Sequence, residues 1–202
     1  PMRTRLTHRT NRESDAIMRI GHINLARSIN GTGEHIIALV EALDRQGVKQ
    51  HVIVRNDDLA KRLRIYDNVV VGPTTSAAVV AYCLMPAVDV AHTHESSGAQ
   101  AGLLLNLTRS IPYVLSHRPG GNPDQNSITR SVYERASGII CPTDAGARAL
   151  AGKLTREPID VINDIGRAGS DDFERTANRA AALHMRVYQR AADTHSIPAL
   201  LL

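Results

Sequence analysis

The 202 residues are 43% hydrophobic and 22% charged, which suits one globular domain with a sizeable core. No apolar run approaches the ~20 residues of a membrane span, so the sequence reads as that of a cytoplasmic protein. The net charge of +4 is modest, and one Phe, five Tyr and no Trp leave little to stack on unpaired bases, so no nucleic-acid partner is expected. Cys83 and Cys141 lie far apart in apolar segments and read as buried free thiols, in neither disulfide nor zinc spacing.

Residues 1–16 carry Arg3, Arg5, Arg9 and Arg12 among almost no apolar side chains, and are predicted to be a disordered basic tail. The tail lacks the apolar stretch of a secretory signal. A peripheral contact to membrane phosphates and an extension foreign to the fold are both open readings of it, with Met18 a natural start. Ile17, Ile20 and Ile23 then read as a buried strand. Ser28, Asn30, Gly31, Thr32 and Gly33 make a polar loop, after which Ile36, Ile37, Leu39, Val40 and Leu43 fall at helical spacing, with Glu34 in the first turn.

Strand, glycine loop and helix N-terminus present backbone N–H groups to an anion such as a phosphate, and Gly31 and Gly33 let the backbone come close. Simple relief of the loop is the alternative use of the same glycines. The third glycine of a dinucleotide fingerprint is missing and the loop is too long for one, which disfavours a nucleotide-binding oxidoreductase.

Further strands are predicted at 50–54, 68–71, 88–92, 112–116, 138–141 and 159–162, and helices at 59–63, 74–84, 96–107, 127–136 and 144–153, the last with Thr143 as its N-cap. Gly72-Pro73 ends one strand as a strong breaker pair. This alternation predicts an α/β fold: a doubly wound, mostly parallel Rossmann-like sheet of about seven strands with helices on both faces, and a ligand at the C-terminal strand ends. From 174 to 193 there is only a helix. Its apolar stripe is Ala177, Ala180, Ala181, Leu183 and Val187, and Arg175, Arg179, Arg186 and Arg190 share the opposite face.

Two polar clusters besides the glycine loop fall at predicted strand ends: His92 to Ser97, and Ser116 to Asn122. His92 and His94 share one side of their strand by its period of two. With Glu95 and His117 they have the residue types of a metal site, although hydrogen bonding to neighbouring backbone is the commoner use of such histidines. His117 lies between a buried strand and a glycine-rich loop with Arg118 beside it. It can therefore face a ligand with a cation at hand, or else hold loop carbonyls.

At these residues the chain resembles the N-terminal, Rossmann-like half of family-4 (group 1) glycosyltransferases of the GT-B fold. The opening strand and glycine pair appear as Met18-Arg19-Ile20 and Gly31-Thr32-Gly33-Glu34-His35. Two further strands appear as Asp89-Val90-Ala91-His92-Thr93-His94 and Pro112-Tyr113-Val114-Leu115-Ser116-His117. Ile139-Ile140-Cys141-Pro142-Thr143 matches a later strand, and Val161-Ile162-Asn163-Asp164-Ile165-Gly166 matches the hinge, with Asp164-Ile165-Gly166 where the family usually has Asn-Gly and a following Asp. The likeness runs from about Met18 to Phe173.

The resemblance implies a domain over 17–173, a returning helix within 174–202 that packs back on it, and no donor-binding half. It implies a share in retaining sugar transfer in polysaccharide or glycolipid synthesis. A nucleotide-sugar would be a substrate, with no tightly bound cofactor and no metal. His117 would act catalytically at the transferred sugar. Gly31, Thr32, Gly33 and Arg118 would meet the donor phosphates, and His92, His94 and Glu95 the acceptor or its sugar. Expected partners are a glycan or lipid-linked acceptor and a second polypeptide carrying the donor half. A non-catalytic protein that binds a glycan or a partner enzyme is the alternative.

Overall fold

The computed structural model describes residues 18–29, 31–118, 121–155, 159–165 and 172–195. The basic tail, Ile17, Asn30, Pro119, Gly120 and Gly166 lie outside the described residues. The strands are β1 (Arg19–Asn24), β2 (Lys49–Val54), β3 (Val69–Val71), β4 (Val90–Thr93), β5 (Tyr113–Ser116), β6 (Gly138–Cys141) and β7 (Ile159–Val161). The helices are α1 (Gly31–Arg45), α2 (Asp57–Leu63), α3 (Ala78–Leu84), α4 (Ser96–Arg109), α5 (Ser127–Arg135), α6 (Asp144–Ala151) and α7 (Phe173–His195).

All strand pairs are parallel, and the sheet runs β3-β2-β1-β4-β5-β6-β7. The chain winds outward from β1 to β3 and then back across to β4, so the order reverses between β1 and β4. In open α/β sheets, such a reversal at the C-terminal strand ends is where ligands commonly bind.

Strand periodicity divides the core into two layers. On one face Ile20, Val90, Val114 and Ile140 pack under α1 and α7, against Leu39, Leu43, Ala181 and Val187. On the other face Ile23, Ala91, Tyr113, Leu115 and Ile139 meet residues of α3 to α6, among them Ala81, Leu105, Val132 and Leu150. α2 joins the first face, where Leu59 and Leu63 cover Val52 and Val54. Seven parallel strands with helices on both faces are the doubly wound architecture that the alternating sequence predicts.

Several boundaries differ from the sequence expectation for local reasons. α1 begins at Gly31, so Gly33 lies inside its first turn and not in the loop. The helix predicted over 74–84 starts only at Ala78, and a 3-10 turn at Pro123–Gln125, capped by the Asn122 side chain, was not foreseen. Cys141 is buried, but Cys83 is exposed: on the short α3 only Ala81 is fully buried. The helix after β6 keeps its expected cap, with Thr143 Oγ1 accepting from the Gly146 N–H at 3.1 Å.

α7 does return to the domain. Val187 is buried and sits over β6, where a Cβ on Gly138 would come within 2.9 Å of its Cγ1. Leu183, placed in the apolar stripe by its spacing, is only half-buried at the stripe's edge, and the positions under the helix are Ala177, Ala181, His184, Tyr188 and Ala191.

α4 approaches the sheet at Gly102, where a Cβ would lie 2.8 Å from Tyr113 Cδ2 and 2.9 Å from Thr93 Cγ2. A rigid ring and a β-branched residue on adjacent strands cannot give way cheaply. Gly102→Ala is therefore expected to cost about 1–3 kcal/mol by overpacking, read as a lower urea midpoint; an unchanged midpoint would mean that α4 is free to slide.

Candidate functional site

The C-terminal edge of the sheet gathers the start of α1, the end of β4 and the residues after β5 and β7. Gly31 is exposed, and a Cβ built there meets nothing within 4 Å, so its surface is open to a ligand at the positive end of a 15-residue helix. Gly33 is different. It is buried, and its Cβ would come within 2.9 Å of Ile29 Cγ2, so its lack of a side chain accommodates the protein's own loop. Thr32 is half-buried, and Glu34 is held by two hydrogen bonds from Arg62, at 2.7 and 3.1 Å.

His117 follows β5 and is half-buried. Its Nδ1 lies 2.9 Å from Tyr133 Oη, while Nε2 has no hydrogen-bond partner among the described residues. Burial pushes the Tyr133 hydroxyl up to about 12, so it stays protonated and fixes the ring. Gly121 closes over the pair: a Cβ there would be 2.8 Å from Tyr133 Oη and 3.2 Å from the His117 ring. Burial, with Lys153 nearby, lowers the His117 pKa, which favours the neutral ring.

Arg118 is not the free cation that its position in the sequence suggests. Its Nη1 is paired with Asp164 in the segment after β7, and its Nε is buried without a partner among the described residues. Asp164 Oδ1 lies 3.6 Å from Nδ1 of His35 on α1, and that nitrogen accepts the Ile165 N–H at 3.0 Å. The first turns of α1, Arg118 and the segment matching the family's hinge are thus tied together through Asp164.

The acceptor reading needs His92 and His94 open to a sugar. Both are 0% exposed, because α1 and α7 cover their face of β4. Glu95 is half-buried at the edge and accepts a hydrogen bond from the Ser97 hydroxyl. The two histidines belong instead to a buried polar cluster that the sequence analysis did not foresee, made with His22, His35, His184, Tyr188, Gln50 and Ser116.

The hydrogen bonds in this cluster assign protons. The Gln50 amide Nε2 donates to the Val40 carbonyl at 3.0 Å, so Gln50 Oε1 accepts from His22 Nε2–H at 3.1 Å. His22 Nδ1 is then a lone pair, 3.0 Å from His94 Nε2. His92 lies between Tyr188 Oη at 2.7 Å and Ser116 Oγ at 2.8 Å. His184 Nδ1 donates to the Ala180 carbonyl at 2.8 Å. His94 Nδ1 and His184 Nε2 are buried with no partner among the described residues. Burial first, and then repulsion from neighbouring histidines or Arg118, lower all five histidine pKa values. His22 falls to about 3 against the opposing Gln50 hydrogen bond, and His184 to about 4 against its bond to Ala180.

A 600 Å³ depression at the opposite edge of the sheet, beside Val88, Asp89 and Pro112, lies away from all of these groups. None of the helices in the described residues is long and apolar enough to cross a membrane.

A doubly wound parallel sheet with a glycine-opened helix start and a strand-end histidine at one edge defines a Rossmann-like α/β domain. Residues 29–164 match glycosyltransferase family 4, and the chain belongs to that family. No curated protein matches it in sequence. Its fold is shared with HepE of Anabaena, solved in complex with UDP (15% identity, TM-score 0.54) and with UDP-glucose (14%, 0.57). Each comparison covers 73% of this chain and 44% of HepE, so the chain spans less than half of that protein.

Proposed function

We propose that these residues form the acceptor-side half of a retaining GT-B glycosyltransferase site, working in polysaccharide or glycolipid synthesis on a glycan or lipid-linked acceptor. The observation that carries the reading is the shared edge on which the open start of α1 and the Nε2 of His117 are presented. His117 Nε2 is free to bond a hydroxyl of the transferred sugar, and its ring is already oriented by Tyr133 and Gly121. The N–H groups of the first turn of α1 stabilise negative charge on the departing phosphate. The uridine nucleotides bound by HepE support a nucleotide-sugar as the donor class. The donor-binding half of such a site comes from outside these 202 residues, and a second polypeptide is its proposed source.

Two consequences are testable. Alone, these residues are expected to show little sugar transfer, because much of the acceleration comes from a preorganised donor site; robust turnover free of contaminating enzymes would contradict this. In saturation-transfer NMR against a panel of UDP-sugars, Gly31→Val and His117→Ala are expected to weaken binding about tenfold or more with unchanged melting temperatures. Equal affinity in both folded variants would reduce the edge to a structural one.

A second reading, a non-catalytic glycan-binding protein, draws on the Arg118–Asp164 pair, which neutralises the cation nearest His117. It predicts glycan signals with no response to any nucleotide-sugar.

A further inference from the structure

Beneath this edge, and independent of the reading above, the buried histidines have the makings of a metal site. His22 and His92 are directly paired neighbours on β1 and β4, and His94 lies two residues beyond His92 on the same face. One ring nitrogen from each of His22, His92 and His94 falls within 4.8 Å of the others. We propose that these three imidazoles bind one borderline d-block dication, with Zn²⁺ the best fit, as an internal site of the domain.

Two features support the assignment. The first is the donor set. Three imidazoles are a known tetrahedral zinc triad, with a fourth position for water. Two ring nitrogens sharing such an ion lie about 3.3 Å apart, and His22 Nδ1 and His94 Nε2 are already at 3.0 Å. The His92 nitrogen lies within 4.8 Å of the other two and closes on the ion as its ring turns inward and the Ser116 hydroxyl turns away from Nε2.

The second is the outer shell. Metal-bearing histidines give their far N–H to a fixed acceptor, which sets the tautomer and aims the lone pair. His22 Nε2–H is committed to Gln50, itself anchored on the Val40 carbonyl, and His92 Nδ1 faces Tyr188 Oη at 2.7 Å.

With the ion on His94 Nε2, the far Nδ1 carries the proton and is buried with no acceptor among the described residues, so of the three ligands His94 alone lacks an outer-shell partner. The nearest fixed cation, Arg118, is already paired with Asp164, so it does not oppose the ion at full strength.

Such a site is closed to solvent and bridged to α7 through Tyr188, so the ion enters during folding and then holds β1, β4 and α7 together. The test uses the full chain, made in zinc- or cobalt-supplemented medium, freed of any tag and gel-filtered. About one ion per chain, a higher melting temperature than after chelation, and the intense visible spectrum of tetrahedral cobalt are expected. His22→Gln and His94→Gln are expected to lower retained metal at least about tenfold, and His51→Gln, outside the cluster, to leave it unchanged. Sub-stoichiometric metal in the folded wild-type chain overturns the proposal, as does a weak octahedral cobalt spectrum. Equal retention by a folded His94→Gln variant overturns it too, by moving the ion elsewhere. The wild-type stoichiometry and spectrum decide the matter if neither variant folds.

Discussion

Acidifying the chelator-treated protein from about pH 7 to about pH 5 is expected to cost it most of its stability. His22, His35, His92, His94 and His184 are buried and have folded pKa values below the ordinary 6.5, with His22 at about 3 and His184 at about 4. A depressed histidine pKa means that the unfolded chain takes up a proton which the folded chain refuses. Stability from these groups is therefore complete above the unfolded pKa and is lost as pH falls from there toward the folded values. Each group contributes a slope of up to about 1.4 kcal/mol per pH unit. Together the five reach the scale of the ~5–15 kcal/mol of a typical domain within about two units. The check is the urea midpoint measured across that range, with His184→Gln as a comparison that removes one titrating group and flattens the slope. A midpoint indifferent to pH would mean that the interior opens to water, and that the burial of these rings does not hold in solution.

The fold was legible because its signals are local. Short Val- and Ile-rich runs gave the strands, and 138–141 came out at its observed bounds. The cap at Thr143 depends only on its own backbone and was legible for the same reason. The histidine cluster is the opposite case. Period two puts His92 and His94 on one side, but His22 joins them only once β1 is known to pair with β4. His35 and His184 occupy buried positions on helices whose other buried residues are mostly apolar, and that is the signal a sequence reading could have used. Partners 28 to 96 residues apart, such as His22 with Gln50 and His92 with Tyr188, set tautomers that spacing does not encode. The Arg118–Asp164 pair spans 46 residues and likewise turns an apparently free cation into a bound one.

Tyr188→Ala is expected to be the most damaging single change in α7, costing about 3–5 kcal/mol for the lost ring and more for the polar group it abandons. Tyr188 is fully buried against the α1 face of the sheet, and its hydroxyl, held protonated by burial, meets His92 Nδ1 at 2.7 Å. Truncation opens a cavity between α7 and β4 and also leaves a buried imidazole nitrogen unpaired. Tyr188→Phe separates the two effects: it keeps the ring and removes only the hydroxyl, for about 1–3 kcal/mol. Leu183→Ala, at the half-buried edge of the same helix, should fall below the roughly 2–5 kcal/mol of a buried leucine. Thermal and urea melts of the three variants rank these costs. If Tyr188→Ala is the most destabilised, Tyr188→Phe the next and Leu183→Ala the least, α7 is held through its polar contact with β4 as well as its apolar stripe. If Tyr188→Phe melts like the wild type, His92 finds another partner and the hydroxyl is dispensable. If all three melt alike and unshifted, α7 does not belong to the core, and its apolar stripe serves as a docking arm.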